Sequence, residues 1–366
     1  SDGKLTSRSK DRRRERFVRA AFVGWGAPES VLYDAAAHLG TDRMHGLMAA
    51  ARAELCALGA EIRFGVRVTD FLVEEGRLRG VVAGPSTWRT DHCILAAGHS
   101  ARDLYRVLAQ RGVPLEPKPF AVGVRIEQPQ RRIDTAQWGP LAGHPRLGAA
   151  SYRLSLDGAG RDIYTFCMCP GGQVVACASE AGGVCSNGMS NARRDQPNGN
   201  AAFVVPVLPA DLAVGGGGLA GLVLQEAIES AAFTQGGGTY ALPACRLGEI
   251  LDGAPPRRPF VEGDGAPHPR CLAADPLACF PDAIRTALAG GIRLMARRYG
   301  RLLSPEDAVI GVETRTSSPV RIVRGDSFDA PGMGGLYPCG EGAGYAGGII
   351  SSAIDGLQAA EAVLGA

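Results

Sequence analysis

The densest run of polar donors in the chain is Glu313, Thr314, Arg315, Thr316, Ser317, Ser318 and Arg321, directly after the apolar stretch Ala308 to Val312. An arginine in such a place can offset negative charge that builds up during a reaction, or hold a carboxylate through two parallel hydrogen bonds. Arg315 and Glu313 are therefore the candidate catalytic pair. The competing use is structural: Arg315 with Glu313, or Arg321, braces a turn. Cys167 and Cys169 lie two apart, which in a strand puts both on one face. A disulfide between them would be strained and a redox dithiol is normally CxxC, so buried core thiols are the expectation and a catalytic thiol the alternative. Asn187-Gly188-Met189-Ser190, with Arg193, Arg194, Asn198 and Asn200, is rich in amide and guanidinium donors. It reads as a substrate-facing loop or as a cluster of Asx turns. Histidines at 38, 45, 92, 99, 144 and 268 show no HxxxH or HExxH spacing, so no metal site is expected. His99 ends a glycine-containing strand at a helix start, where its pKa should be lowered; it serves either as an acid–base group or structurally. No G-x-S-x-G elbow is present, which argues against a serine hydrolase.

These residues need elements to hold them. Met44, Leu47, Met48, Ala51, Leu55 and Leu58 recur at spacings of three and four, which predicts a helix capped by Thr41 or Asp42. Glu61 to Phe64, Val66 to Val73 and Leu78 to Val82, with a turn at Glu75-Gly76, read as strands and a hairpin. Cys93 to Ala97 is a short strand running into Gly98, and Ser100-Ala101-Arg102-Asp103 opens a helix as a capping box. Between Pro114 and about Pro209 the pattern becomes mainly antiparallel sheet. Helices are expected over Leu222 to Phe233 and Pro281 to Arg298, and the chain finishes with a strand near Leu336, a glycine loop and the helix Ile349 to Leu364.

GxGxxG occurs twice, at Gly216, Gly218, Gly221 and at Gly342, Gly344, Gly347. A dinucleotide fingerprint needs a strand before it, a helix after it, and a second strand ending in an acid about 20 residues on. The first match follows a run broken by Pro206 and Pro209, and reads as a turn. The second lies between a strand and a helix, so its backbone N–H groups can approach a ligand favoured by the helix dipole; a tight packing turn is the alternative. The chain has 51 glycines, about twice the usual share, which fits backbone that must approach something closely.

Lys and Arg total 39 against 37 Asp and Glu, so no global field gathers nucleic acid or an anionic membrane. No stretch nears the roughly 20 apolar residues of a membrane span. Ten scattered cysteines without a CxxC pair fit a reducing compartment, hence a cytoplasmic expectation. Arg8, Lys10, Arg12, Arg13, Arg14, Arg16 and Arg19 read as a solvated helix face. A nucleic-acid arm is the alternative; the interspersed acids Asp2, Asp11 and Glu15 argue against a targeting peptide.

Eight ordered blocks carry a resemblance: Ser1-Asp2-Gly3-Lys4-Leu5 with Arg8-Ser9-Lys10-Asp11; Gly40-Thr41-Asp42; Gly98-His99-Ser100-Ala101-Arg102-Asp103; Lys118 to Glu127; Phe166-Cys167-Met168-Cys169-Pro170-Gly171-Gly172; Asn187 to Ser190; Val312 to Pro319; and Cys339 to Ile349. Together they resemble the FAD-dependent dehydrogenases that are distantly similar to glutathione-reductase-type flavoproteins, the NAD(P)/FAD-dependent oxidoreductases. That resemblance implies a split α/β fold. A three-layer, Rossmann-like FAD/NAD(P)-binding domain would occupy 1–115 and 308–366, and an inserted, mainly antiparallel α+β substrate domain 116–307. It also implies cofactor contacts from Ser1, Asp2, Gly3 and Lys4 beside the flavin, Val68 at the adenine edge, and Ala97, Gly98, Gly340, Glu341, Gly347, Gly348 and Ile349 over the ring and ribityl chain. The family opens with a strand, a dinucleotide-binding glycine loop and a helix. Here the chain starts at Ser1, after the point where that unit would end, so an N-terminally shortened piece of a longer protein is expected. The implied activity is hydride transfer between an organic small molecule and FAD, with NAD(P)H docking transiently if it is used. The alternatives are a flavoprotein in oxygen-dependent or RNA-modifying chemistry, and a non-catalytic remnant acting as an interaction module.

Overall fold

The computed structural model describes residues 3–7, 9–158, 160–212, 216–256 and 270–365. Asp11 accepts the Arg14 N–H and starts α1 (Arg12–Gly24). Val18 and Phe22 of α1 turn inward to meet Leu5, Val31, Leu39 and Leu47. The basic stretch is only partly a solvated face. Arg12, Arg13 and Arg16 are exposed, whereas Arg19 is buried, bound to Glu15 and to the carbonyls of Leu5 and Val31. α2 (Thr41–Ala57) has no side-chain cap; Asp42 accepts the Ala192 N–H instead. Only Leu47 and Ala51 of α2 are buried, and Met48, Leu55 and Leu58 of the expected stripe are exposed.

β1 (Asp70–Glu74), β2 (Arg77–Ala83) and β3 (Ser86–Arg89) form a three-stranded antiparallel sheet. The turn falls at Glu75 and Gly76, both with positive φ, as the sequence implies. Residues 61–67, expected as strand, are exposed and outside any strand. β4 (Cys93–Leu95) leads through Gly98 to α3 (Arg102–Gln110), whose N-cap is Ala101 and not Ser100.

β5 (Leu115–Pro117) and β6 (Phe120–Pro129) are followed by α4 (Gln130–Trp138) and then by β7 (Ser155–Leu156), β8 (Ile163–Cys169), β9 (Gly172–Cys177), β10 (Cys185–Ser190) and β11 (Asn198–Val207). Next come α5 (Ala220–Gln235), β12 (Leu242–Arg246), α6 (Leu247–Asp252), β13 (Cys271–Ala273), α7 (Asp282–Arg298) and β14 (Ala308–Glu313). Seven strands make one mixed sheet in the order β13-β12-β14-β6-β11-β8-β7, with only β12 and β13 parallel. The β9–β10 hairpin is separate. The first glycine match becomes a short 3-10 turn, Gly217–Leu219, that enters α5.

One face of this sheet is apolar: Val122, Val124, Ile126, Phe203, Val205 and Val207 pack under Ile133 of α4, Ile228 of α5, Leu247 of α6 and Leu288, Ile292 and Met295 of α7. Alternation along β6 sends Arg125 and Glu127 to the other face. Glu127 there is bonded by Asn198, and burial pushes its carboxyl up to about 7. A raised acid favours the protonated fold, so this group's contribution is full below about 4.5 and lost as pH rises through about 7. Glu127→Gln is accordingly expected to raise stability at pH 8 by up to about 3 kcal/mol and to leave it unchanged at pH 4, in urea unfolding at the two pH values.

The chain closes with β15 (Val320–Ile322) paired to β5, β16 (Leu336–Pro338) parallel to β4, and α8 (Ile349–Leu364). Ile350 and Ile354 of α8 complete the cluster around Leu5 and Val18, so the two ends of the chain share a core. The result is a mixed α/β protein with one large mixed sheet.

Candidate functional site

Two β-bulges decide what the polar face of the large sheet carries. Residues directly opposite in a ladder share a face. Ile310 opposes Arg125, but after an irregularity at Gly311 (φ +33) Val312 opposes Val124 and Glu313 opposes Gly123. The extra residue keeps Val312 on the apolar face and turns Glu313 to the side of Arg125. There the Arg125 Nε donates to Glu313 Oε2 at 2.8 Å and Nη2 to Oε1 at 3.2 Å. Nη1 donates to Asn200 Oδ1 at 2.7 Å and to the Cys167 carbonyl at 3.3 Å. Arg125 is fully buried, and Glu313 nearly so. Burial pushes the Glu313 carboxyl up, and Arg125 pulls it back.

The Asn187 to Ser190 block lies on β10, above this pair, with Asn187 Oδ1 accepting from Arg125 at 3.4 Å. Gly188 is needed there: a Cβ would lie 2.2 Å from the Arg125 guanidinium. The second bulge is on β8, where Cys169 opposes Asn200 but Phe166 opposes Ala202, and Cys167 sits at φ +43. Lys4 Nζ lies 3.5 Å from the sulfurs of both Cys167 and Cys169.

A second buried network centres on Glu229 of α5. Its carboxylate takes two bonds from Arg102, two from Arg315 and one from Thr314, at 2.6–3.0 Å. Gln225, one turn earlier, accepts from Arg102 and donates to the Thr314 carbonyl. Burial raises the Glu229 carboxyl, but the hydrogen bonds from Arg315 and Arg102 outweigh it and hold the pKa below the usual value. The remaining Arg315 nitrogen, Nη1, donates to Ser100 Oγ at 2.7 Å. Sequence spacing did not single out Glu229; the available signal was Gln225 and Glu229, four apart and so on one face of a mostly apolar helix. Beside this network, His99 is depressed to about 4 by burial and by the charges of Arg315 and Arg102. Its imidazole is therefore neutral at pH 7, and its buried Nδ1 has no hydrogen-bond partner among the described residues.

The two glycine loops meet backbone to backbone. A Cβ on Gly342 would lie 2.6 Å from the Gly98 carbonyl carbon, and Tyr105 of α3 donates to the Gly342 carbonyl at 2.6 Å. Asp355 of α8 accepts the Gly340 N–H at 2.7 Å and a bidentate pair from Arg324, whose guanidinium lies over the Tyr345 ring. The space enclosed behind Gly98 and Gly342 is only about 10 Å³. The other side is open: Gly98, Gly347 and Gly348 have nothing within 4 Å of a Cβ position, and the first turn of α8 has no side-chain cap.

The model of a family described as FAD-dependent protein, C-terminal domain-like, matches residues 119–316. The chain belongs to that family. FAD is its cofactor. An uncharacterized protein of Clostridium beijerinckii is 41% identical over 374 residues, covering all of this chain and 68% of that protein. An oxidoreductase from Methanosarcina mazei, known from a crystal structure, aligns with 98% of this chain and 68% of its own at 13% identity and a TM-score of 0.37.

The residues of this FAD-dependent protein fit a dinucleotide at the glycine loops. The orphaned His99 Nδ1, the open cradle at Gly98, Gly347 and Gly348, and the uncapped N–H groups of α8 are polar groups and space that a ligand would complete. Of the expected cofactor contacts, Ser1 and Asp2 lie outside the described residues. Ala97 and Gly98 are exposed beside Gly342, and Gly347 and Gly348 lead into α8, which Ile349 begins. The Gly340 N–H is taken by Asp355, while Glu341 is half-buried with its carboxyl pushed up by burial. Val68 packs on the core that Leu95 and Ala343 share. Gly3 accepts the Leu39 N–H, and Lys4 faces the two thiols. Arg315 and Glu313 are not brought together as a pair; each is the buried partner in a different network. Among the described residues no His, Cys, Asp and Glu cluster could hold a metal, and no helix is long and apolar enough to cross a membrane.

Proposed function

We propose that this protein is an FAD-dependent oxidoreductase that moves a hydride between a small organic molecule and its flavin. The observation that carries the reading is the junction of the Gly98 and Gly342 loops with the open start of α8, in a chain of an FAD-dependent family. When bound, the flavin supplies the redox chemistry itself. The chain's residues have the remaining tasks. Gly98, Gly347, Gly348 and the N–H groups of Ile349 and its neighbours hold the cofactor. His99, neutral and with Nδ1 unsatisfied, offers one hydrogen bond to what lies beside it.

Arg315 and Glu313 act as positioning residues in this reading. Arg315 anchors Ser100, and so the His99 segment, to Glu229; Glu313 holds Arg125 under the β9–β10 hairpin. The split organisation fits the packing, since residues 120–312 build the main core while two of the smaller cores draw on both ends of the chain. Residues 1–115 and 308–366 then bind the cofactor, and 116–307 face the substrate.

Gly347→Leu separates a cofactor loop from a packing turn. Nothing lies within 4 Å of that site and its φ is outside the left-handed region, so the fold should tolerate the side chain. Melting is expected within about 2 °C of wild type, while FAD affinity, followed by visible absorption on titration, falls at least about tenfold, which is 1.4 kcal/mol. Unchanged affinity would sink the assignment of the loop.

A further inference from the structure

We propose that Cys167 and Cys169, with Lys4 beside them, form an oxidation site at which a hydroperoxide converts the two thiols to an intramolecular disulfide. Three observations carry this. Lys4 Nζ is 3.5 Å from each sulfur, although Lys4 lies more than 160 residues away in sequence. The β8 bulge places Cys167 at φ +43, a backbone state that a non-glycine residue seldom adopts. Strained positions of this kind cluster where a site needs them. The bulge puts an extra residue into this stretch of β8, and a hydrogen bond joins the side chains of Cys169 and Cys167. The Cys169 thiol points back at Cys167, within 3.3 Å of its carbonyl oxygen.

The two thiols are unequal. Cys169 is fully buried, and its hydrogen bond with Cys167 together with burial raises its pKa well above the ordinary value. Cys167 is only half-buried, and the Lys4 ammonium and the Arg125 guanidinium lie close by. A cation at this distance favours the thiolate, the reactive form. By contrast, burial pushes the thiols of Cys93, Cys271 and Cys279 up to about 11, 12 and 12, which leaves them protonated.

The chemistry runs in two steps. The Cys167 thiolate attacks a peroxide oxygen; an S–O bond forms, the O–O bond breaks, and the departing oxygen leaves as water or an alcohol after taking a proton. The Cys169 sulfur then attacks the sulfenic sulfur of Cys167; the S–S bond forms, the S–O bond breaks, and the hydroxide leaves as water with the proton of Cys169. Two thiols lose two electrons and the peroxide gains them.

Met168 lies between the two cysteines and allows a direct test. Cyanogen bromide cuts after Met48, Met168 and Met189, so it separates fragment 49–168 from 169–189. The purified FAD-bound protein is reduced, treated with hydrogen peroxide, alkylated and cleaved. The expected result is that the two fragments stay joined without reductant and part when it is added. In Cys169→Ser they part without reductant, and a dimedone probe labels Cys167. Lys4→Met slows thiol loss about tenfold, because the cation beside the attacking sulfur is removed. The proposal is overturned if the wild-type fragments separate without reductant, if they stay joined in Cys169→Ser or Cys167→Ser, or if Lys4→Met reacts at the wild-type rate. The wild-type result stands even if a variant fails to fold.

Discussion

Replacing Arg125 by Leu destabilises the fold by about 3–5 kcal/mol at pH 7, as measured by urea unfolding. The reason is the burial of its partner: Glu313 is 3% exposed, and without Arg125 its carboxylate has, among the described residues, only Ser186, at 3.5 Å, to offset the lost water. The cost is expected to shrink on acidification, because protonating Glu313 removes the uncompensated charge. Arg125→Leu with Glu313→Leu should recover part of the loss, since two apolar side chains need no partner while the buried Asn200 Oδ1 still loses its donor. A double variant whose loss equals the sum of the two single losses would show that the pair is not energetically coupled.

Glu229→Ala has an effect of the same order, about 3–5 kcal/mol, because one carboxylate serves two guanidinium groups. The Arg102 side chain is 1% exposed and that of Arg315 13%, so little water reaches either, and Arg102 keeps the partly exposed Glu180, at 2.7 Å, as its remaining acid. The pH dependence has a definite sign. The Glu229 pKa is lowered in the fold, so its stabilisation is present above about 4.5 and lost as pH falls through the lower folded value. The gap between wild type and variant should therefore be full at pH 7 and close under strongly acidic conditions. Because Arg315 also holds Ser100, the variant is expected to bind FAD less tightly, read by absorption on titration. A gap that stays constant with pH would rule out the carboxylate as the source.

Much of the local structure was legible in the sequence. The strand Ala308 to Val312, the helices near Leu222 to Phe233 and Pro281 to Arg298, the hairpin turn at Glu75-Gly76 and the strand–glycine–helix order at the C-terminus all follow from hydrophobic period and turn chemistry, which depend on residues within a few positions. The low pKa of His99 was also expected, from a helix start; in the fold it comes from burial and from two arginines. Partner choice was beyond the sequence. A strand pattern does not reveal a single extra residue, yet the bulge at Gly311 moves Glu313 from the apolar face to the side of Arg125, because side chains alternate with a period of two. Arg315 meets Glu229 across 86 positions, and Lys4 meets Cys167 across 163. Spacing sets which residues share a face of one element. Which faces meet is settled only when helices and strands bury their apolar sides together, and the charges are then carried into contact by that packing.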